Sequence, residues 1–279
     1  MNNLEIFCIC IHNKLLDKIR GINYTPVGLG SDTFSKEWTR DNSGINISSK
    51  NKFYGELTFH YWLWKNKLNG IEKDKWIGFC GYRRFWKNEF NNSETSLDIK
   101  QKILKEIHPS WENYDVILGN HIYLNEIPLI KIVKYGKKAF LRNPKAIFKK
   151  GRSIRFQFDM FHGNGVLDKA IDLLDQNEKE DFKSYVRSNV SFNYGNMFIC
   201  KSKELMNRYY ETIFPWLEKC EAILGFELKG YEVRTYGFLA ERFMAYWFNK
   251  YSKVLEVPVI YHDLTKQELE GGNGTFYLY

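Results

Sequence analysis

Four short apolar runs that barely alternate constrain this chain most: Leu4–Ile11 (LEIFCICI), Trp76–Cys80 (WIGFC), Tyr114–Leu118 (YDVIL) and Gly195–Cys200 (GNMFIC). A strand with one wet face alternates apolar and polar residues, whereas a run apolar at nearly every position must be covered on both faces. Helical patterns occupy Phe53–Leu68, 95–107, 155–162, 165–187, Ser202–Leu224 and Tyr236–Tyr251, with a short helical stretch before Tyr24. A last strand is predicted over Val254–Tyr261, and Tyr24–Gly30 (YTPVGLG) reads as a turn-rich link. Strands alternating with helices predict an α/β, Rossmann-like domain: a mostly parallel sheet flanked by helices. No internal repeat or low-complexity linker interrupts it, so residues 1–279 read as one domain. Ligands of open α/β sheets sit at the carboxyl ends of the strands. That makes His12 and Asn13, which end the first run, candidates for binding.

Charge is unevenly placed. Between Lys131 and Arg155 there are ten Lys/Arg and no Asp or Glu, so this segment holds +10 of a net +8 and leaves −2 for the rest. It reads as a basic insertion at about 127–156. Ile130, Ile132, Val133, Phe140, Leu141, Ile147 and Phe148 are interleaved with the basic residues. Two readings stand: a solvated loop or helix face, or a contact for anionic lipid or a phosphate-bearing acceptor. The five cysteines, Cys8, Cys10, Cys80, Cys200 and Cys220, are odd in number and lack zinc-ligand spacing with His. They read as buried thiols of a reducing compartment. The N-terminal apolar run has no basic leader and reads as a strand, and no stretch is long enough to cross a bilayer. The expected location is cytoplasmic, peripheral on the inner face of the plasma membrane.

Two segments carry the densest polar chemistry. Asp41–Asn51 (DNSGINISSKN) offers Asp41, Asn46, Ser48 and Asn51, short side chains that cap helices or bond hydroxyls and amides. Beyond it come Glu56, Tyr61, Trp62, Lys65 and Asn66; Lys65 is a candidate for the donor site, and Trp62 and Trp64 are mainly core. Tyr82-Arg83-Arg84 follows the buried run WIGFC directly. Two arginines at the end of a buried strand are costly unless an anion meets them, and guanidinium binds phosphate oxygens bidentately. On an extended chain neighbouring side chains point opposite ways. One arginine is therefore expected to face a ligand and the other to hold a structural carboxylate; the alternative is that both are structural.

The stretches R-D-N-S-G-I-N-I-S-S-K-N (40–51), E-L-T-x-x-Y-W-L-W-K-N (56–66), W-I-G-F-C-G-Y-R-R-F-W (76–86), Y-D-V-I-L (114–118), N-M-F-I (196–199) and G-F-L-A-E-R-F (237–243) recur in order. Together they resemble the bacterial capsular and exopolysaccharide glycosyltransferases long catalogued as a domain of unknown function and related to the GT-A fold. The resemblance implies a GT-A-like enzyme that moves a sugar from a nucleotide sugar onto a growing capsule, exopolysaccharide or lipopolysaccharide glycan. The donor would be a UDP-sugar, UDP-galactofuranose or another hexose, and the acceptor lipid-linked or an oligosaccharide. GT-A enzymes usually carry Asp-x-Asp where Tyr82-Arg83-Arg84 stands, to hold a divalent cation; this chain has none. No metal is therefore expected to be required, with manganese or magnesium as the alternative. Many relatives have His before Tyr-Arg-Arg; here it is Gly81, so any role of that His is lost or moved.

For a general base, Glu241 can take a hydroxyl proton or can pair with Arg242 to brace the fold. His162 matches a family His and either binds acceptor or phosphate or is structural. Asn196, Met197 and Arg242 are candidates for the acceptor pocket. The rival class is a non-catalytic glycan- or nucleic-acid-binding protein using the basic segment; no recognised nucleic-acid motif is present, and no nucleic-acid partner is expected.

Overall fold

In a computed structural model describing residues 3–89, 98–224 and 233–266, the apolar runs are strands of one sheet. The strands are β1 (Leu4–Cys10), β2 (Thr25–Gly28), β3 (Thr39–Arg40), β4 (Trp76–Gly81), β5 (Arg84–Trp86), β6 (Val116–Gly119), β7 (His121–Tyr123), β8 (Ser191–Asn193), β9 (Phe198–Cys200), β10 (Val254–Val257) and β11 (Val259–Tyr261). The main sheet runs β10-β6-β9-β4-β1-β2-β3, with β5 joined to β4 and β11; β7 and β8 form a separate antiparallel pair. Along the main path β9 alone is antiparallel to its neighbours among the described strands.

The runs fail to alternate because both faces are covered. From β1, Phe7 enters one core with Phe79 and Phe198, while Ile6, Cys8 and Cys10 enter the opposite core with Cys80, Trp111 and Ile199. All five cysteines are buried free thiols. The helix Thr235–Tyr251 is buried along most of its length and packs on the helices Lys203–Leu224, Gln176–Ser188 and Asn51–Tyr54. No described helix is long and apolar enough to cross a membrane.

Several boundaries differ from the sequence reading. The segment read as a link contains β2; β3 pairs only with Val27 and Gly28, so Pro26, which cannot donate, has no β3 partner. The last strand is two: at Pro258 the chain leaves β6 and pairs antiparallel with β5. The helix expected over Phe53–Leu68 breaks at Gly55 (φ 57°), giving Asn51–Tyr54 and Leu57–Asn66. That over 165–187 is interrupted, giving Val166–Ile171 and Gln176–Ser188. Of 95–107 only Ile99–Lys102 is helical, and residues 95–97 lie outside those described.

The basic segment is folded. Helices Leu129–Tyr135 and Lys137–Arg142 lead into 3-10 turns at Pro144–Ile147 and Lys149–Gly151. Ile132, Ala139 and Ala146 are buried beneath it. Arg152 is the internal tie: its guanidinium donates to the carbonyls of Asn125, Ile127, Ala146 and Ile147.

Candidate active site

A cleft opens where β1 and β4 end and β9 begins, the crevice that an open sheet presents to ligands. One hollow, about 400 Å³, is lined by His12, Asn13, Lys14, Leu15, Asp32, Arg83 and Thr265. A second, about 250 Å³, is lined by residues that include Asn51, Gly55, Glu56, Tyr82, Arg83, Arg84, Asn196, Met197, Arg234 and Glu241. Arg83 belongs to both walls.

The arginines are presented by a hairpin. Gly81 of β4 pairs with Arg84 of β5, so Tyr82 and Arg83 form its two-residue turn. They do not continue an extended strand, so alternation along a strand does not set their directions; Arg83 is the one that meets a carboxylate. Arg83 Nε lies 2.9 Å from Asp263 Oδ2, and its guanidinium sits 4.8 Å from the Tyr82 ring centroid. Burial works to raise the Asp263 pKa, but hydrogen bonds from Thr265 and the Arg83 charge hold it below the ordinary value. Tyr82 meets His12 edge-on at 5.1 Å. Arg84 Nη2 donates to Tyr194 Oη (2.9 Å), over whose ring it stacks at 4.5 Å. Its Nε is buried and has no hydrogen-bond partner among the described residues.

Two carboxylates face these cations. Glu56 accepts from Asn196 Nδ2 (2.9 Å) and from Arg234 Nη2 (3.2 Å). Asn196 is 4% exposed, and its Oδ1 has no partner among the described residues. Gly55 makes room for Arg234: a Cβ there would stand 2.5 Å from Arg234 Nη2. Glu241 accepts from Arg242 Nη1 at 2.7 Å. Burial pushes the Glu241 pKa up; the Arg242 charge opposes this, Glu56 adds to it, and Arg84 and Arg234 oppose it. The two carboxylates and three arginines therefore form one electrostatic cluster.

Behind Glu241, Arg242 also donates to Phe238 O (3.2 Å) and Gln157 Oε1 (2.8 Å), with His162 Nε2 at 3.1 Å. Guanidinium has only donors, so His162 Nε2 is an acceptor and the ring is neutral. Burial, then the Arg242 charge, pushes the His162 pKa well down. Stacking on Phe238 at 3.9 Å fixes the ring plane.

Of the residues expected from sequence, the cleft brings together His12, Asn13, Asn51, Tyr82, Arg83, Arg84, Asn196, Met197 and Glu241. Others line neither hollow. Asp41 is 2% exposed, and burial raises its pKa. Asn46 and Ser48 bond within their own turn, Asn46 Nδ2 to Gly44 O and Ser48 Oγ to Asn46 Oδ1. Lys65 lies 3.3 Å from the Trp64 ring centroid. His162 and Arg242 are one layer back, as positioning residues: Arg242 reaches Glu241, and His162 reaches Arg242. Asp32, Arg234, Asp263 and Thr265 lacked a sequence assignment to the cleft, and Glu56 belonged only to a group, with Tyr61, Trp62, Lys65 and Asn66, of which some were expected to line a site. Glu56 at least stands in a family-like stretch; Arg234 has no motif around it.

Among the described residues no group of three or more His, Cys, Asp or Glu side chains is placed to hold a metal ion. Glu56, Glu241 and Asp263 are each engaged by an arginine, so a divalent cation at the cleft would compete with Arg234, Arg242 or Arg83.

A family model described as "Domain of unknown function (DUF4422)" matches residues 7–253. A solved structure described as the apo structure of the bifunctional glycosyltransferase WbbM resembles this chain with TM-score 0.55 and 20% identity, over 93% of this chain and 45% of that one. The chain thus spans less than half the length of that protein. The likeness is one of fold, a mixed α/β, GT-A-like sheet with helices on both faces. No curated protein matches.

Proposed function

The chain belongs to the family described as a domain of unknown function (DUF4422), and from that premise we propose that it is a glycosyltransferase using a nucleoside-diphosphate sugar. The observation that carries the reading is the convergence of Arg83, Arg84 and Arg234 with Glu56, Asn196 and Glu241 on one hollow beyond the carboxyl ends of β1 and β4. Guanidinium groups bind phosphate oxygens bidentately, and carboxylate and amide groups bond sugar hydroxyls.

In this reading the nucleoside occupies the hollow lined by His12, Asn13, Asp32 and Thr265, and the diphosphate lies along Arg83 and Arg84. The sugar reaches between Glu56, Asn196 and Glu241. The acceptor hydroxyl oxygen forms a bond to the anomeric carbon as the bond from that carbon to the phosphate oxygen breaks. The hydroxyl proton passes to the Glu241 carboxylate, and the nucleoside diphosphate leaves with its added negative charge on the arginines. Burial makes Glu241 the stronger base, and Arg242 holds it in position. Proton transfer of this kind contributes about 10²–10⁴-fold. The donor is a UDP-sugar, with UDP-galactofuranose or another hexose within the class, and the acceptor is a bacterial surface glycan, lipid-linked or free.

Calorimetric titration with UDP tests it. Arg83→Ala and Arg84→Ala should each weaken binding at least tenfold, roughly one charge-assisted hydrogen bond's worth. Glu241→Gln should bind UDP normally and lose about 10²–10⁴ in turnover. Unchanged UDP affinity in both arginine variants would place the site elsewhere.

A further inference from the structure

Five large apolar side chains of one short stretch stand out in solvent: Leu129 (51% exposed), Ile130 (77%), Leu141 (82%), Ile147 (52%) and Phe148 (71%). They alternate with exposed lysines, Lys137, Lys138, Lys145, Lys149 and Lys150. No Asp or Glu occurs between Ile127 and Phe158. The elements that carry them pack in series: Leu129–Tyr135 on Lys137–Arg142, that helix on Pro144–Ile147, and that turn on Lys149–Gly151. The three arginines of the segment are spoken for. Arg152 is bound to backbone carbonyls, and Arg142 and Arg155 share Asp168 with Arg187. The lysines and apolar tips are the part turned outward on a folded base.

Water does not favour five such side chains exposed within one run of elements packed in series, and apolar exposure concentrated in this way marks a contact surface. Charge and shape together select the occupant. Lysine ammonium groups meet anionic headgroups, while leucine, isoleucine and phenylalanine tips enter the boundary between headgroups and acyl chains. A single-stranded nucleic acid would need aromatic faces for its bases, and Phe148 is the one aromatic among these five exposed tips. We propose that residues 129–150 form a docking platform for an anionic lipid bilayer, held by the exposed lysines and seated by Leu129, Ile130, Leu141, Ile147 and Phe148. It holds the chain reversibly at a membrane surface without a spanning helix. Binding is read without turnover, so the proposal stands or falls apart from the transfer reaction.

The test is co-sedimentation of the full chain with vesicles of phosphatidylcholine, alone or mixed with phosphatidylglycerol. The parent should bind only the mixed vesicles, and binding should weaken steeply between about 0.1 M and about 1 M salt as the Debye length shrinks from about 10 to about 3 Å. The variant Lys137→Glu, Lys138→Glu, Lys149→Glu, Lys150→Glu should bind at least about a hundredfold more weakly, each lysine contributing several-fold. Reversal of the exposed Lys36 and Lys73 should have little effect. Leu141→Ser with Phe148→Ser should weaken binding about tenfold while keeping the salt dependence. These side chains touch no core, so the melting temperature checks that the fold is intact. Failure of the parent to bind the mixed vesicles at low salt overturns the proposal. So does equal binding by the four-glutamate variant, or tighter binding of a single-stranded oligonucleotide than of the vesicles.

Discussion

Replacing Arg242 with Met removes a guanidinium whose side chain is 2% exposed and keeps most of its volume. Four acceptors face it: Phe238 O, Glu241 Oε2, Gln157 Oε1 and His162 Nε2. The Glu241 side chain is only 12% exposed, so its charge is left with little water to replace the arginine. Breaking a buried pair from one side costs about 3–5 kcal/mol, and the orphaned neutral acceptors place this case near the upper end. Adding Glu241→Gln removes the stranded charge and should recover about 2 kcal/mol, a coupling that a double-mutant cycle reads directly. Arg242→Lys keeps the charge without the planar fork and should fall between. Proton linkage gives an independent reading. In the parent, burial and Arg242 hold His162 below its ordinary value of 6.5. The folded state therefore binds fewer protons there, and stability is present in full above pH 6.5 and declines as pH falls below it. Without Arg242 one of the two causes is gone, so the decline attributable to His162 should become shallower. Urea unfolding from neutral pH downward measures both quantities. A loss under about 1 kcal/mol at neutral pH, with no recovery in the double variant, would show that Arg242 is not the group holding Glu241.

His60, 1% exposed with Nδ1 3.0 Å from Tyr210 Oη, is pushed by burial from 6.5 to about 3. Stability should decline as pH falls from 6.5 toward 3, by up to about 4 kcal/mol at ~1.4 kcal/mol per pH unit; His60→Phe should be somewhat less stable at neutral pH yet show a flatter profile in urea unfolding, and an unaltered profile would reject the assignment. Gly55→Ala should cost about 1–3 kcal/mol by thermal unfolding, because its φ of 57° resists a Cβ, and lower turnover, because the Cβ would push the Arg234 guanidinium off Glu56; an unshifted melting temperature would count against this. Transfer should continue in EDTA, since arginines rather than a cation meet the diphosphate in the proposed site; full loss reversed by manganese or magnesium would show otherwise.

The sheet was legible because burial on both faces leaves a direct mark, the non-alternating runs of β1, β4 and β6. What escaped were features set by single residues. Pro26 disguised β2, Pro258 split the last strand between two partners, and Gly55 broke a helix whose apolar pattern runs straight through it. At the cleft, Tyr82-Arg83-Arg84 announced itself by charge beside a buried run. Glu56, Arg234 and Asp263 reach the same place from three distant parts of the chain, and no local pattern carries that information. His162 and Arg242 were visible as unusual residues, but sequence could not tell a residue in the hollow from one bracing its wall, a difference of one layer of packing.

The hairpin that presents the arginines is held from outside its own neighbourhood. β11 pairs with β5, His262 N donates to Arg83 O, Leu264 N donates to Tyr82 O, and Asp263 grips the Arg83 side chain. Lys18 adds a hydrogen bond to Leu264 O. During synthesis the β4–β5 hairpin emerges some 170–180 residues before this clasp, so the arginine turn waits, unfastened, until the strand after Pro258 has left the ribosome. A chain clipped just after Pro258 would lose β11 from the sheet's margin and Leu264 from one core, and would leave Arg83 without its partner, so the anion site would lose its fastening while the strands from β10 to β3 keep theirs.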